Sequence, residues 1–484
     1  MMRFTLVVSM VFLSASALAQ NESRLARDFR VEGEALRKCG QFTLGSMMDC
    51  GQTLVMGQPV HIAVGSLAPQ NGFGAGLAFV EHANLKNGWR LNWNADGVAT
   101  PNGSWRVGGF MKSYRLSGGV PHPVYPGRGS VKAPRGPLFG SAPVVNLYSD
   151  TTSLKRVDFY GLGPNTAQVS QTTFGFRENI TGISTIVPVN GFLPPLRLAL
   201  MGELNGRFPS VRSGSERAIP SIEQRFTEAN APGLTRQAAY FQPMEGIQIQ
   251  PALFADTLRL NYRVQFQQFV AAGDSAHSFR RWKGDFSHEI PLYRLFYGSL
   301  GRAYSRSRDT GPSARNGPDD CSVSNPASSA LPCPKVSTTQ NLEGAITLRF
   351  FLSESIAGAG SQVPFYFDPT IGGSDINNDS MLASYPDYRF RGPNMMLMRG
   401  KIEHSIGKLP IGAMFSVDEA KIAMRRDDIS FDHLKQSFAA GLTVRAGGLP
   451  VFYLLFAWGG AEGHHTIANL SSTLLGGSSR PSLF

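Results

Sequence analysis

The chain has 484 residues, room for several ordinary domains or for one large β architecture. Charged residues make up only 17%, while glycine counts 53 and phenylalanine 32, a composition that disfavours helical bundles and suits short-turned β-sheet. The net charge of +11 comes from Arg and Lys scattered along the chain rather than massed in one run; this argues against a nucleic-acid partner and for a solvated polar face, with anionic headgroups or anionic solutes as a secondary attraction.

Residues 1–19 read as a secretory signal peptide. Arg3 supplies the positive start, Phe4 to Leu13 the apolar run, and Ala17-Leu18-Ala19 a small-residue cleavage site. Residues 20–57 form a short mixed segment, periplasmic in this reading, with a charged helical stretch from Glu22 to Arg37 followed by Cys39 and Cys50. Beyond the leader, no run approaches the ~18 apolar residues that a membrane helix needs. A helical membrane protein is therefore excluded, and an exported soluble protein or a membrane β-barrel remains.

From about residue 58 onward, alternating stretches recur. In TLRLNYRVQFQ (257–267), Leu258, Leu260, Tyr262, Val264 and Phe266 share one face of a strand, and Arg259, Asn261, Arg263, Gln265 and Gln267 share the other. Trp89, Leu91, Trp93 and Ala95 alternate with Arg90, Asn92, Asn94 and Asp96. Ile346, Leu348, Phe350 and Leu352 flank Thr347 and Arg349, and Phe438, Ala440, Leu442 and Val444 flank Thr443 and Arg445. Several runs are about ten residues long, the length of a tilted transmembrane strand, whereas soluble strands are usually about five or six. The apolar face then meets lipid and the polar face a wet lumen. Backbone groups in lipid must all be paired, so the sheet must close. The predicted fold is all-β, a transmembrane antiparallel barrel of about sixteen strands over 58–475, with 476–484 as a C-terminal tail. Trp89, Trp93, Trp105 and Trp458 fit an interfacial girdle.

Two polar, Pro/Gly-rich stretches interrupt the pattern, 117–141 and 305–339, the second holding Cys321 and Cys333. Both are expected on the outer side, where such barrels carry their long loops. Local disulfides Cys39–Cys50 and Cys321–Cys333 are preferred among three connectivities, because each closes a short segment. A metal reading is poor, since no Cys-x-x-Cys spacing exists. Asp274-Ser275 with His277 and His288 nearby is weighed as a lipolytic serine site and rejected in favour of a polar turn. No catalytic, cofactor or metal residues are assigned, and the chain is not read as an enzyme.

The C-terminal third carries Pro364-Phe365-Tyr366, Gly372-Gly373-Ser374-Asp375, Tyr388-Arg389-Phe390-Arg391 and then Phe415 to Lys421, with Gly72 to Val80 and Asp158 to Thr166 upstream. In order and spacing these resemble the bacterial surface antigen family, the barrel of BamA/TamA-type outer-membrane proteins. The resemblance implies an outer-membrane location, lipid and lipopolysaccharide around the barrel, and a role in outer-membrane protein assembly or translocation. Its expected partners are unfolded outer-membrane proteins or periplasmic factors. The segment 20–57 is too short for a POTRA domain. Family barrels also carry an Arg-Gly-aromatic motif on an outer loop that folds inward and reaches a wall carboxylate. Here Ala383, Ser384 and Tyr385 occupy those positions, so only the aromatic is kept. Asp418 matches the acceptor, and Arg389 or Arg391 is the expected substitute donor. The alternative function is a passive, anion-preferring channel or a structural surface protein.

Overall fold

The computed structural model describes residues 24–37, 59–85, 88–115, 143–189, 196–251, 258–292, 344–377, 379–406, 411–446, 449–460 and 462–470. The expected leader (1–19), all four cysteines with their expected disulfides, stretches 117–141 and 305–339, and the expected tail (476–484) lie outside the described residues. Among the described residues one helix, α1 (Arg24–Arg37), precedes the strands, and its Glu32 carboxylate accepts the Val60 N–H at 3.4 Å.

The strands are β1 (Val60–Ser66), β2 (Phe73–Asn84), β3 (Trp89–Ala99), β4 (Trp105–Arg115), β5 (Val144–Phe159), β6 (Thr172–Val189), β7 (Leu196–Ser213), β8 (Tyr240–Pro251) and β9 (Arg259–Ala271). They continue with β10 (Phe279–Leu292), β11 (Gly344–Ala357), the two-residue β12 (Thr370–Ile371) and β13 (Phe390–Arg391), β14 (Asn394–Ser405), β15 (Ile411–Ala423), β16 (Lys435–Ala446), β17 (Leu449–Trp458) and β18 (His465–Leu470). All but β12 and β13 form one sixteen-stranded sheet in which each strand pairs antiparallel with its neighbour in the chain. The expected strand count is met. The sheet curls until β1 and β18 come within 8 Å of each other, yet no ladder joins them among the described residues.

The alternation in the sequence becomes two different surfaces. On β9, Arg259 and Arg263 turn inward and pair with Glu289 and Asp285 of β10, at 2.8 and 2.7 Å. Val264 and Val270 turn outward and are exposed. The same register places Trp89, Trp93, Trp105, Trp282 and Trp458 on the outer face. An apolar face left outward over sixteen strands is what a lipid surround selects.

The connection between β11 and β14 folds back against the inner wall. Phe365, Tyr366 and Phe367 form one 3-10 turn whose three rings are buried. Phe365 packs edge-on against Phe159 of β5 and Phe174 of β6, with ring centroids 5.2 and 5.1 Å apart, and Phe367 packs edge-on against Tyr240 of β8 at 4.9 Å. Each buried ring contributes roughly 1.5–3 kcal/mol, so this turn anchors the whole connection.

One expectation is corrected by this topology. The connections β4–β5 and β10–β11, which contain 117–141 and 305–339, leave the sheet at one end, and the inward connection β11–β14 leaves it at the other. In an up-and-down sheet successive connections alternate ends, so the three cannot share one outer rim.

Candidate functional site

The inward connection is a hairpin, closed where Thr370 pairs with Arg391 and Ile371 with Phe390. Gly372 and Gly373 turn it, with φ of 104° and 58°. A Cβ on Gly373 would lie 2.6 Å from the backbone of Asp387, whose carboxylate accepts the Ser374 N–H at 2.8 Å. The turn therefore excludes any larger residue. Gln70, Leu382 and Tyr388 all hold positive φ without being glycine, a strain that surrounding contacts must maintain.

Residues 382–389 fasten this hairpin to the last strands. The Leu382 N–H donates to Asp418 of β15 at 3.0 Å, and the Ser384 N–H donates to Ser437 Oγ of β16 at 2.9 Å. Ala383 packs with Ala439, Leu455 and Ala457. Tyr385 lies against Gly460 in the β17–β18 turn, where a Cβ would collide with its ring. Arg389, 2% exposed, forks onto Glu462 of the same turn at 2.7 and 2.8 Å. It also donates to Thr166 Oγ1 and the Thr166 carbonyl in the β5–β6 turn, at 2.8 and 2.5 Å, and lies over the Tyr160 ring. On the other side of the gap, the Tyr388 hydroxyl donates to the Pro69 carbonyl of the β1–β2 turn at 3.4 Å. The Asp387 carboxylate accepts from Gln70 in that turn, and burial holds it above the usual carboxylate range. The hairpin thus reaches from the β1–β2 turn to the β17–β18 turn, across the two strands that no ladder joins among the described residues. Beside it a polar cleft of about 690 Å³ opens along that gap, lined among others by Ser66, Phe73, Asp387, His465 and Thr466.

All six residues expected at the inward loop site are buried, but their partners differ from expectation. Asp418 does not meet Arg389 or Arg391. Its carboxylate takes both guanidinium nitrogens of Arg399, directly across the β14–β15 ladder, at 2.7 and 2.9 Å. Arg399 also donates to the Ser380 carbonyl of the hairpin. The wall supplies its own arginine where the loop lacks one. Arg391 instead donates to the Phe365 carbonyl at 2.9 Å and accepts, through its own carbonyl, the Gly163 N–H at 2.7 Å. Arg399 and Glu462 were missed in the sequence.

The inward arginines are not a free cationic lining. Asp285 takes Arg263 and Arg349 at 2.7 and 2.9 Å, Asp379 lies 3.6 and 3.7 Å from Arg349 and Arg399, and Arg106 and Arg207 pair with Asp96 and Glu178 at 2.7 Å each. These pairs neutralise part of the inner wall, while Lys112 of β4 and Lys401 of β14 also share the inward register. The serine site is also dismantled. His277 is held between Asp274 at 2.8 Å and Glu228 at 3.3 Å, and His288 meets the Tyr262 hydroxyl at 2.9 Å on the outer face. Neither imidazole is hydrogen-bonded to Ser275.

No family model and no curated protein matches the chain. Among solved structures it is similar to CdiB from Acinetobacter baumannii (TM-score 0.46, 11% identity, 85% of this chain and 60% of that one) and to CdiB from Escherichia coli (0.47, 12%, 84% and 61%). It is also similar to BamA from Haemophilus ducreyi lacking POTRA domains 1-3 (0.42, 12%, 85% and 67%). The chain spans about 60% of the length of the two CdiB proteins.

Proposed function

We propose that this chain is an outer-membrane barrel that helps insert or translocate other outer-membrane polypeptides at the gap between β1 and β18, with the 364–391 hairpin as the strap across it. One observation carries the reading: among the described residues, the β1 and β18 edges lie side by side without a ladder. Unpaired edges in a bilayer are costly, and an incoming strand that pairs with either edge relieves that cost. The strap supports this reading because it grips the turns of both terminal hairpins.

The test is a reversible lock. Ser66→Cys and Thr466→Cys, in a background with the four native cysteines replaced by serine, put one thiol on each edge beside the same cleft. Under oxidising conditions the lock should deplete other barrel proteins from the outer membrane, as quantitative proteomics of a gene deletion should, and reductant should restore them. An unchanged outer membrane in both the locked and deleted strains would overturn the reading.

A further inference from the structure

The outer face is not apolar throughout. On β5, β6 and β7 the outward row ends at Leu147, Ile183, Leu204 and Phe208, which are 42, 39, 49 and 53% exposed. Past Leu147, Ile183 and Leu204, toward the end that carries the strap, the outward residues of β5 and β6 are Ser149, Thr151, Ser153, Arg177, Asn179 and Thr181, while on β7 Phe208 stands level with Thr151 and Asn179 and is followed by Ser210 and Arg212. Two arginines stand there on neighbouring strands. Arg177 pairs in register with Ser210, and Gly175 with Arg212, so the two guanidinium groups are diagonal neighbours. Asp158, in register with Thr173, is the carboxylate at the outward positions of these three strands, and Arg156 takes it at 2.9 Å. On the adjoining β8, Glu245 pairs in register with Gly202, well down the apolar row.

Arg212 is also pre-aimed. One of its terminal nitrogens donates to Ser153 Oγ and to the Leu154 carbonyl, both at 3.0 Å, while its buried Nε has no acceptor. Arg177 is exposed. Two like charges held together with an orphan donor cost free energy unless an anion joins them. Guanidinium forks match phosphate oxygens in geometry as well as charge. The pair stands where the apolar row stops, which in a membrane-spanning barrel is headgroup depth.

We propose that Arg177 and Arg212 form a headgroup site for a phosphorylated membrane lipid, whose acyl chain lies along Leu147, Ile183 and Phe208. The proposal rests on the membrane-spanning reading of the barrel and not on any activity at the gap. Ser149, Thr151, Asn179 and Thr181 supply neutral hydrogen-bonding groups around the headgroup.

The full chain, purified in detergent, is loaded with diphosphoryl lipid A or with phosphatidylcholine, washed, and scored for retained lipid by native mass spectrometry. The unaltered chain should retain the diphosphoryl lipid. Arg177→Gln together with Arg212→Gln should lower retention about tenfold, equivalent to ~1.4 kcal/mol. Arg177→Gln alone, at an exposed side chain that cannot threaten folding, should lower it severalfold. Equal retention by these variants overturns the site. Equal retention of dephosphorylated lipid overturns the phosphate recognition, and full displacement by excess inorganic phosphate assigns the pair to a free anion instead. Failure of the chain to enter phosphatidylcholine nanodiscs overturns the membrane reading itself, and this proposal with it, whatever happens at the gap.

Discussion

The inner wall and the strap each rest on a buried arginine forked onto a carboxylate, and the two pairs differ in what they hold. Arg399 and Asp418 sit opposite each other in adjacent strands of one hairpin. Their separation is fixed by the ladder, so the pair stiffens a wall that exists without it. Arg389 and Glu462 belong to a loop and to a turn far along the chain, at 2.7 Å, and nothing in the ladder brings them together. The difference teaches that a charge pair within a ladder bears on stability, whereas a pair across a gap bears on position.

Breaking the wall pair should give the largest effect. Asp418→Asn leaves the Arg399 guanidinium inside the wall with only the more distant Asp379, 3.7 Å away, as an acid, and should cost roughly 3 kcal/mol, read as a fall in the urea midpoint. Exchanging both residues for apolar ones of similar volume should restore most of that loss. At the strap, Glu462 is 16% exposed and can recover water when its partner is removed. Arg389→Ala should therefore cost about 2 kcal/mol or less, while raising single-channel conductance as the hairpin leaves the mouth. A double-mutant cycle on each pair sharpens the contrast. If Arg389→Ala leaves conductance unchanged and Asp418→Asn opens the lumen, the roles assigned to the two pairs are reversed.

The strap also carries a charge that its surroundings disfavour. Asp368 follows the buried Phe365–Phe367 turn and is itself buried. Burial outweighs the attraction of Arg281 and Arg391 and pushes its pKa up to about 8. The folded state then binds a proton that the unfolded state has released, so this residue lowers stability as pH rises from about 4 toward 8. Asp368→Asn should flatten the thermal midpoint across that window and raise it at the alkaline end. An unaltered slope would show that Asp368 is already ionised between its two arginines.

The strand pattern was legible because a period of two survives without any knowledge of partners. Leu258 to Gln267 declares its two faces by itself, and so does Ile411 to Asp418. The turn glycines were legible for a similar reason: Gly372-Gly373 meets a local backbone demand. Partners were not legible. Arg399 sits in the apolar run NMMLMRGKIEH, and only its register against Asp418 reveals its role. Glu462 lies in a short polar turn with no periodicity. The placement of the long connections failed on parity, since assigning an end requires every intervening strand to be counted, and stretches such as Ile180 to Val187 alternate too poorly to count.

The smallest effect belongs to an ion pair with the same chemistry and a different solvent. Arg426 donates to Glu354 at 2.8 Å, but its side chain is 58% exposed. Water screens the pair, and holding a long side chain in one geometry costs entropy that offsets most of the attraction. Arg426→Ala should shift the urea midpoint by less than ~1 kcal/mol and leave conductance untouched. A loss comparable to that of Asp418→Asn would mean that the 424–434 turn braces the strap from outside, and that burial is not what separates the strong pairs from the weak.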